Sequence, residues 1–124
     1  MNLVDSSGWL EYFTDSKNAK YFAPVIENKD ELIISVINLY EVYKKVMSAK
    51  SEKSANEACS VMMQAKVIDL DASLSLSASN ISCKYKIPMA DSLIYVTAQF
   101  NDAIVWTQDY DFIDLPGVKF IKKN

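Results

Sequence analysis

Acidic side chains stand in this sequence at points where predicted strands end or predicted helices begin. Carboxylate oxygens brought together in this way are the ligands of hard divalent cations such as Mg²⁺ and Mn²⁺. Such a cation can activate a water molecule and neutralise charge on a phosphodiester. The residues that could do this chemistry are Asp5, Glu41, Asp91, Asp109 and Asp111.

The charge balance supports a metal rather than a basic side chain as the partner of these acids. All thirteen basic residues are lysines, and the chain has no arginine or histidine. At a spacing of about 5–6 Å and an effective dielectric near 20, each pair of carboxylates costs about 3 kcal/mol. A divalent cation removes this repulsion. We therefore expect Asp91 to carry its charge in the apolar segment IPMADSLIYVTA because its partner is a metal.

Each acid taken alone also has a structural explanation. Asp91 is placed to complement a helix dipole, and Asp5 could be a turn residue or a cap. Glu41 could cover apolar surface with its stem, and Asp109 and Asp111 could be solvated loop residues. The joint placement is what favours a site.

The elements that would position the acids alternate between short apolar strands and helices. The strands are predicted at 2–4, 32–36, 67–68, 103–106 and, as an edge, 118–121. The first helix is predicted to follow Ser6 and Ser7, which can cap it. The others are predicted at 17–28, from 38 onward, 54–64, 72–85 and from 88 onward. This alternation predicts one three-layer α/β domain over residues 1–124, with a mainly parallel sheet flanked by helices. Ligands of such sheets bind beyond the carboxyl ends of the strands.

Composition excludes several classes of function. Without histidine there is no Ser-His-Asp or Cys-His catalysis and no histidine zinc site. Cys59 and Cys83 match no ligand spacing, so we expect two small buried residues in a reducing compartment. No signal peptide and no apolar run of membrane-spanning length is present, which predicts a soluble, cytoplasmic protein without a membrane partner.

Four segments resemble the PIN-domain family, specifically the VapC-type toxins of toxin–antitoxin pairs. They are VDSSGWLEYF, ISVINLYEVYKK, IPMADSLIYVTA and VWTQDYDF, in the family's order and spread over the whole chain. The resemblance implies a PIN-like fold with a five-stranded parallel sheet. It also implies a metal-dependent endoribonuclease that is inhibited by a small cognate antitoxin, whose tail occupies the active-site groove.

The same resemblance assigns roles to individual residues. Asp5, Glu41, Asp91 and Asp109 match the acidic quartet of the family. Asp5, Asp91 and Asp109 would ligate Mg²⁺ or Mn²⁺, Asp111 would assist or replace Asp109, and Glu41 would bind metal or orient the attacking water. Two hydroxyl residues match supporting positions of the family: Thr107, which orders the last acidic loop, and Ser6, beside the first acid.

Lysines must replace arginine wherever this chain contacts RNA. Lys44, Lys45 and Lys50 lie on or near the Glu41 helix and are the first candidates. Lys84 and Lys86 are second choices. The alternative for all of them is a solvated helix face.

Two other classes of function remain open, a phosphoacceptor signalling domain and a non-catalytic binding module on the same fold. The first would use Asp69 and Lys119 and would leave Glu41 and Asp91 unexplained. We also expect a homodimer and an antitoxin-binding surface in the aromatic and methionine-rich helices. The alternative is that these residues pack against the sheet; they are Trp9, Tyr12, Phe13, Tyr21, Phe22, Met62 and Met63.

Overall fold

Five short strands form one parallel sheet in the computed structural model, which describes residues 1–123. They are β1 (Asn2–Val4), β2 (Leu32–Ser35), β3 (Lys66–Ile68), β4 (Ile104–Thr107) and β5 (Val118–Phe120). Their order is β3-β2-β1-β4-β5, and every neighbouring pair is parallel. The predicted parallel sheet is confirmed, with β5 at one edge.

Within residues 1–123, six helices connect the strands, together with short 3₁₀ turns at Lys29–Glu31 and Tyr110–Phe112. The helices are α1 (Ser6–Phe13), α2 (Ala19–Glu27), α3 (Val36–Ala49), α4 (Glu52–Met62), α5 (Ala72–Tyr85) and α6 (Met89–Phe100).

Helix boundaries differ from the prediction by up to two residues. The helix predicted at 17–28 begins at Ala19, and the helix predicted at 54–64 begins at Glu52. Val36, predicted as the last residue of a strand, begins α3 because the Ser35 and Asn38 side chains form a capping box there. Asp5, rather than Ser6 or Ser7, is the N-cap of α1, and its carboxylate accepts a hydrogen bond from the Ser7 amide.

Side chains that alternate along the strands build one core on each face of the sheet. Leu3 points to the face covered by α5 and α6, where Ile94 and Leu74 are buried. Val4 points to the opposite face, where Trp9 and Phe22 pack. The chain is therefore the three-layer α/β fold that the alternation of elements predicts.

The aromatic and methionine-rich helices contribute mostly to the core, contrary to the surface expected from the sequence. Trp9, Phe22 and Met62 are at most 1% exposed, because α1, α2 and α4 pack against the Val4 face of the sheet. Tyr12, Phe13 and Tyr21 are partly buried against the same cluster. Only Met63 of this set is exposed, at 56%.

The cysteines also differ from the prediction that both are buried. Cys59 is half-buried and Cys83 is exposed, and both are free thiols. Cys83 lies on the outer face of α5, where the helix meets solvent.

None of the helices within residues 1–123 is long and apolar enough to cross a lipid bilayer.

Replacing Gly8 by Ala is expected to destabilise the fold. An added Cβ would lie 2.6 Å from Val4 Cγ1 and 2.8 Å from the Phe22 ring, and both side chains are fully buried. Overpacking of this kind costs about 1–3 kcal/mol, more than the roughly 1 kcal/mol that alanine adds in helix propensity. Urea denaturation should show the loss, while Lys53→Ala on the exposed face of α4 should change little. Equal stabilities of the two variants would contradict this close packing.

Candidate metal centre

The acids are brought to one edge of the sheet by three adjacent strands. Asp5 follows β1, Glu41 lies in α3 directly after β2, and Asp109 follows β4. The strand order reverses beside β1, since β2 and β3 lie to one side of it and β4 and β5 to the other. Open α/β sheets bind ligands at such a switch point. Asp91, in the first turn of α6, reaches the same place from the Leu3 face.

Asp91, Asp109 and Asp111 form the tightest cluster. One carboxylate oxygen from each lies within 4.8 Å of the other two. Oxygens bound to Mg²⁺ at about 2.1 Å lie at most about 4.2 Å apart, so small side-chain rotations would close these three onto one ion. Carboxylates of this number and spacing therefore fit a hard divalent cation.

Asp5 lies beside this cluster and is held by hydroxyl groups. Its Oδ2 accepts hydrogen bonds from Ser7 Oγ at 2.8 Å and from Thr107 Oγ1 at 3.0 Å. Thr107 Oγ1 also accepts a hydrogen bond from the Asp109 amide at 2.9 Å. Thr107 thus connects the first acid to the loop that carries Asp109, and Asp5 is 2% exposed.

Glu41 lies outside the three-carboxylate cluster and is attached to α1. Its Oε1 accepts a hydrogen bond from Ser6 Oγ at 2.8 Å. Ser6 Oγ in turn accepts from Asn38 Nδ2 at 3.0 Å, and Asn38 is fully buried. Ser6, predicted to support the first acid, therefore contacts Glu41, while Ser7 contacts Asp5.

Burial and mutual repulsion raise the pKa values of two of the acids. Burial raises the pKa of Asp91 to about 8, and a hydrogen bond to Asp111 and the charges of Asp5, Asp109 and Asp111 add to the effect. Burial also raises the pKa of Asp5 to about 6, although hydrogen bonds from Ser7 and Thr107 oppose it. Without a cation, the Asp91 carboxyl therefore holds a proton at neutral pH.

No lysine within the described residues forms an ion pair with these carboxylates. Across residues 1–123, the one ion pair joins the Met1 amino group to Glu31 at 3.6 Å. The proton on Asp91 is therefore what relieves the repulsion in the metal-free protein. A divalent cation would displace that proton and take its place.

The three lysines proposed for RNA contact point in two directions. Lys45 and Lys50 line a groove of about 720 Å³ between α1, α3 and α4. Lys17 and Lys123 line the same groove, which reaches Ser7 near the acids. The Lys44 ammonium instead lies 5.8 Å from the centre of the Tyr40 ring.

Several residues around the site were missed from the sequence. The buried Asn38 and the side chain of Ser7 organise Glu41 and Asp5, and Gln108 and Glu11 lie behind the last acidic loop. One local signal was available for Asn38. It follows Ser35 by three residues, which is the spacing of a capping box. The contacts of the others depend on which helix packs beside which strand.

Asp69 and Lys119 are not placed as a phosphoacceptor domain requires. Asp69 follows β3, which is an edge strand, whereas such a domain needs its acceptor aspartate after a central strand. The Lys119 ammonium lies 4.7 Å from the centre of the Trp106 ring.

Comparison with protein families gives one match over most of the chain, in which residues 3–118 fit the model of the PIN domain. No curated protein matches the sequence.

Solved structures share the fold at low sequence identity. A toxin–antitoxin complex from Klebsiella pneumoniae has a TM-score of 0.81 at 21% identity, covering 99% of this chain and 100% of that one. The toxin VapC20 of Mycobacterium tuberculosis, described as cleaving the sarcin–ricin loop, has a TM-score of 0.80 at 14% identity, covering 99% and 98%. DNA-bound VapBC from Salmonella typhimurium has a TM-score of 0.76 at 16% identity, covering 98% of each chain.

Proposed function

This chain belongs to the PIN domain family, and we propose that it is a VapC-type toxin, a divalent-metal-dependent endoribonuclease that a cognate antitoxin neutralises. The observation that carries the proposal is the cluster of Asp91, Asp109 and Asp111, whose oxygens lie within 4.8 Å of one another beside Asp5. The structural neighbours support the toxin assignment, since they include toxin–antitoxin complexes and a toxin described as cleaving the sarcin–ricin loop.

In this proposal the chain's own residues hold and orient the reacting groups. Asp91, Asp109 and Asp111 would hold Mg²⁺ or Mn²⁺, with Asp5 as a further ligand. The bound cation would supply an activated water and neutralise charge on the phosphodiester. Glu41, held by Ser6, would orient the attacking water. Thr107 would keep the Asp109 loop in place through its bonds to Asp5 and to the Asp109 amide.

The experiment that tests this proposal is cleavage of total cellular RNA by the purified, antitoxin-free protein. Reactions would contain Mg²⁺, Mn²⁺ or EDTA. We expect discrete cleavage products with either cation and none with EDTA. RNA that is bound but left intact at all cation concentrations would contradict the nuclease and favour a non-catalytic binding module.

The groove lysines are expected to contribute to RNA affinity. Replacing Lys45 and Lys50 together by Gln removes two positively charged side chains from the groove that reaches Ser7. Two lost phosphate contacts should weaken binding of single-stranded RNA about tenfold at low salt and reduce the salt slope by about 1.4. Fluorescence anisotropy with the Asp91→Asn protein would measure binding without cleavage.

The matched control for that double variant is Lys20→Gln with Lys29→Gln, since both lysines are exposed and lie outside the groove. Equal losses of affinity in the two pairs would mean that the groove does not contact RNA.

We also propose a homodimer. The described chain exposes large apolar side chains that neither core covers, among them Leu76 at 70% and Met89 at 75%. Sedimentation showing only monomer at tens of micromolar would contradict it.

A further inference from the structure

A buried polar network lies behind the last acidic loop and takes no part in the metal centre described above. Its members are Glu11 in α1, Asn18 between α1 and α2, and Gln108 between β4 and the 3₁₀ turn Tyr110–Phe112. They are 9%, 4% and 4% exposed. A charged side chain buried to this degree needs hydrogen bonds to offset the loss of water.

Both carboxylate oxygens of Glu11 and both polar side-chain atoms of Gln108 have a hydrogen-bond partner. Glu11 Oε2 accepts a hydrogen bond from the backbone amide of Asn18 at 2.9 Å. Glu11 Oε1 accepts one from Gln108 Nε2 at 3.1 Å. Gln108 Oε1 accepts from Asn18 Nδ2 at 2.8 Å. Asn18 Nδ2 also donates to the Lys122 carbonyl at 3.1 Å.

The carboxylate of Glu11 sets the direction of these bonds. Both oxygens of Glu11 accept hydrogen bonds, so Gln108 presents its amino group to Glu11 and its oxygen to Asn18. The backbone carbonyl of Lys122 can also only accept. The Asn18 side chain therefore turns its amino group toward Gln108 Oε1 and this carbonyl. An uncharged amide at position 11 would break this order, because its own amino group would face a donor.

The position of Gln108 in the chain gives the network its consequence. Thr107 and Asp109, on either side of it, face the acids, and the Gln108 side chain faces the opposite way toward Glu11. Such alternation is the normal result of extended backbone. The hydrogen bonds of the Gln108 side chain to Glu11 and Asn18 therefore hold the backbone that carries both Thr107 and Asp109.

We propose that Glu11 is a positioning residue, which acts through Gln108 to hold the Asp109 carboxylate where it can ligate a cation. The role of that cation rests on the function proposed above. The positioning itself is a property of the metal-free chain. Glu11 forms no hydrogen bond with Asp91, Asp109 or Asp111, and its side chain is linked to the acidic loop through Gln108.

A reciprocal exchange of the two side chains tests this role. Glu11→Gln and Gln108→Glu each break the order of donors and acceptors. The double variant restores the order of donors and acceptors and keeps the net charge. Gln at position 11 accepts from the backbone amide of Asn18 and donates to Glu at position 108. Glu at position 108 also accepts from Asn18 Nδ2. The matched control is Glu57→Gln. Glu57 is an exposed carboxylate that lines the groove between α1, α3 and α4, as Glu11 does, but it lies outside the polar network.

The first readout is hydrogen exchange of the Asp109 amide in metal-free protein, compared with amides in the interior of α6. Since an unpaired buried group loosens its surroundings, each single variant should exchange about tenfold faster at Asp109, with little change in α6. The double variant should return to within about threefold of wild type. Glu57→Gln should have no effect.

The second readout is Mn²⁺ affinity, which should fall about tenfold in each single variant and recover in the double variant. Unchanged exchange at Asp109 in both single variants, or a double variant as fast as the singles, would overturn the proposal. If a single variant does not fold, Gln108→Met removes the same anchor and serves in its place. A wild type that binds no Mn²⁺ would contradict the proposed function, while the exchange data would still decide the positioning.

Discussion

Asp91→Asn is expected to lower metal-dependent RNA cleavage by about 100-fold or more, because it removes a ligand and a negative charge from the centre of the site. The same substitution should raise the melting temperature of the metal-free protein at pH 8. There the wild-type carboxyl is half-ionised among other acids, whereas asparagine carries no charge. Loss of activity together with gain of stability is what distinguishes a functional residue from one that supports the fold.

The control for this pair of effects is Asp114→Asn, the same substitution at an exposed position outside the cluster. It should leave both cleavage and melting temperature near the wild-type values. A lower melting temperature of the metal-free Asp91→Asn protein would mean that Asp91 stabilises the fold, and any loss of cleavage would then need another explanation.

The stability of the metal-free protein is expected to fall as the pH rises from 5 to 8.5. The folded-state pKa of Asp91 is raised to about 8 from its ordinary value of 3.8, so the folded chain holds a proton that the unfolded chain releases. The resulting stabilisation is complete below about pH 4 and is lost as the pH passes through about 8. Asp5, with a pKa of about 6, contributes a smaller loss between pH 5 and 6.

Because the Asp91 carboxyl is partly open to solvent, we expect a loss on the order of 2 kcal/mol rather than the full linkage value. Urea denaturation at the two pH values would measure it. Asp91→Asn should remove most of the dependence, and Mg²⁺ at pH 8.5 should restore stability to the wild type. A wild type with the same stability at both pH values would contradict the clustering of these acids.

The fold and the acids were predictable because both follow from the order of elements along the chain. Parallel strands separated by helices bring their carboxyl ends to one edge, so Asp5 and Asp109 had to lie close together. Asp91 could be placed from the inward face that it shares with Ile94 and Tyr95 on its helix.

The parts that were not predictable depend on how side chains pack. Glu11 and Gln108 are 97 residues apart and Ser6 and Asn38 are 32 apart, so no local pattern joins them. The same limit explains the aromatic helices. Trp9 and Phe22 are as hydrophobic as an interaction surface would be, and only the packing of α1 and α2 on the sheet shows that they are core.

The protonation of Asp91 was likewise beyond the sequence. An apolar helix with one acid is compatible with a charged side chain beside a metal, as we expected. Burial of the carboxyl and the neighbouring Asp111 raise the pKa of Asp91 to about 8, which favours a bound proton when no metal is present. In the proposed metal centre, a cation would compete with this proton for Asp91.

The central claim is that the acids at this edge of the sheet bind a divalent cation, and it can be tested without knowing the RNA target. The measurement is titration of wild type, Asp91→Asn and Asp114→Asn with Mn²⁺ at pH 8, following free Mn²⁺ by electron paramagnetic resonance. We expect wild type and Asp114→Asn to bind Mn²⁺ alike, and Asp91→Asn to bind it at least about tenfold more weakly. Equal binding by all three proteins, or no binding by the wild type, would contradict the metal centre.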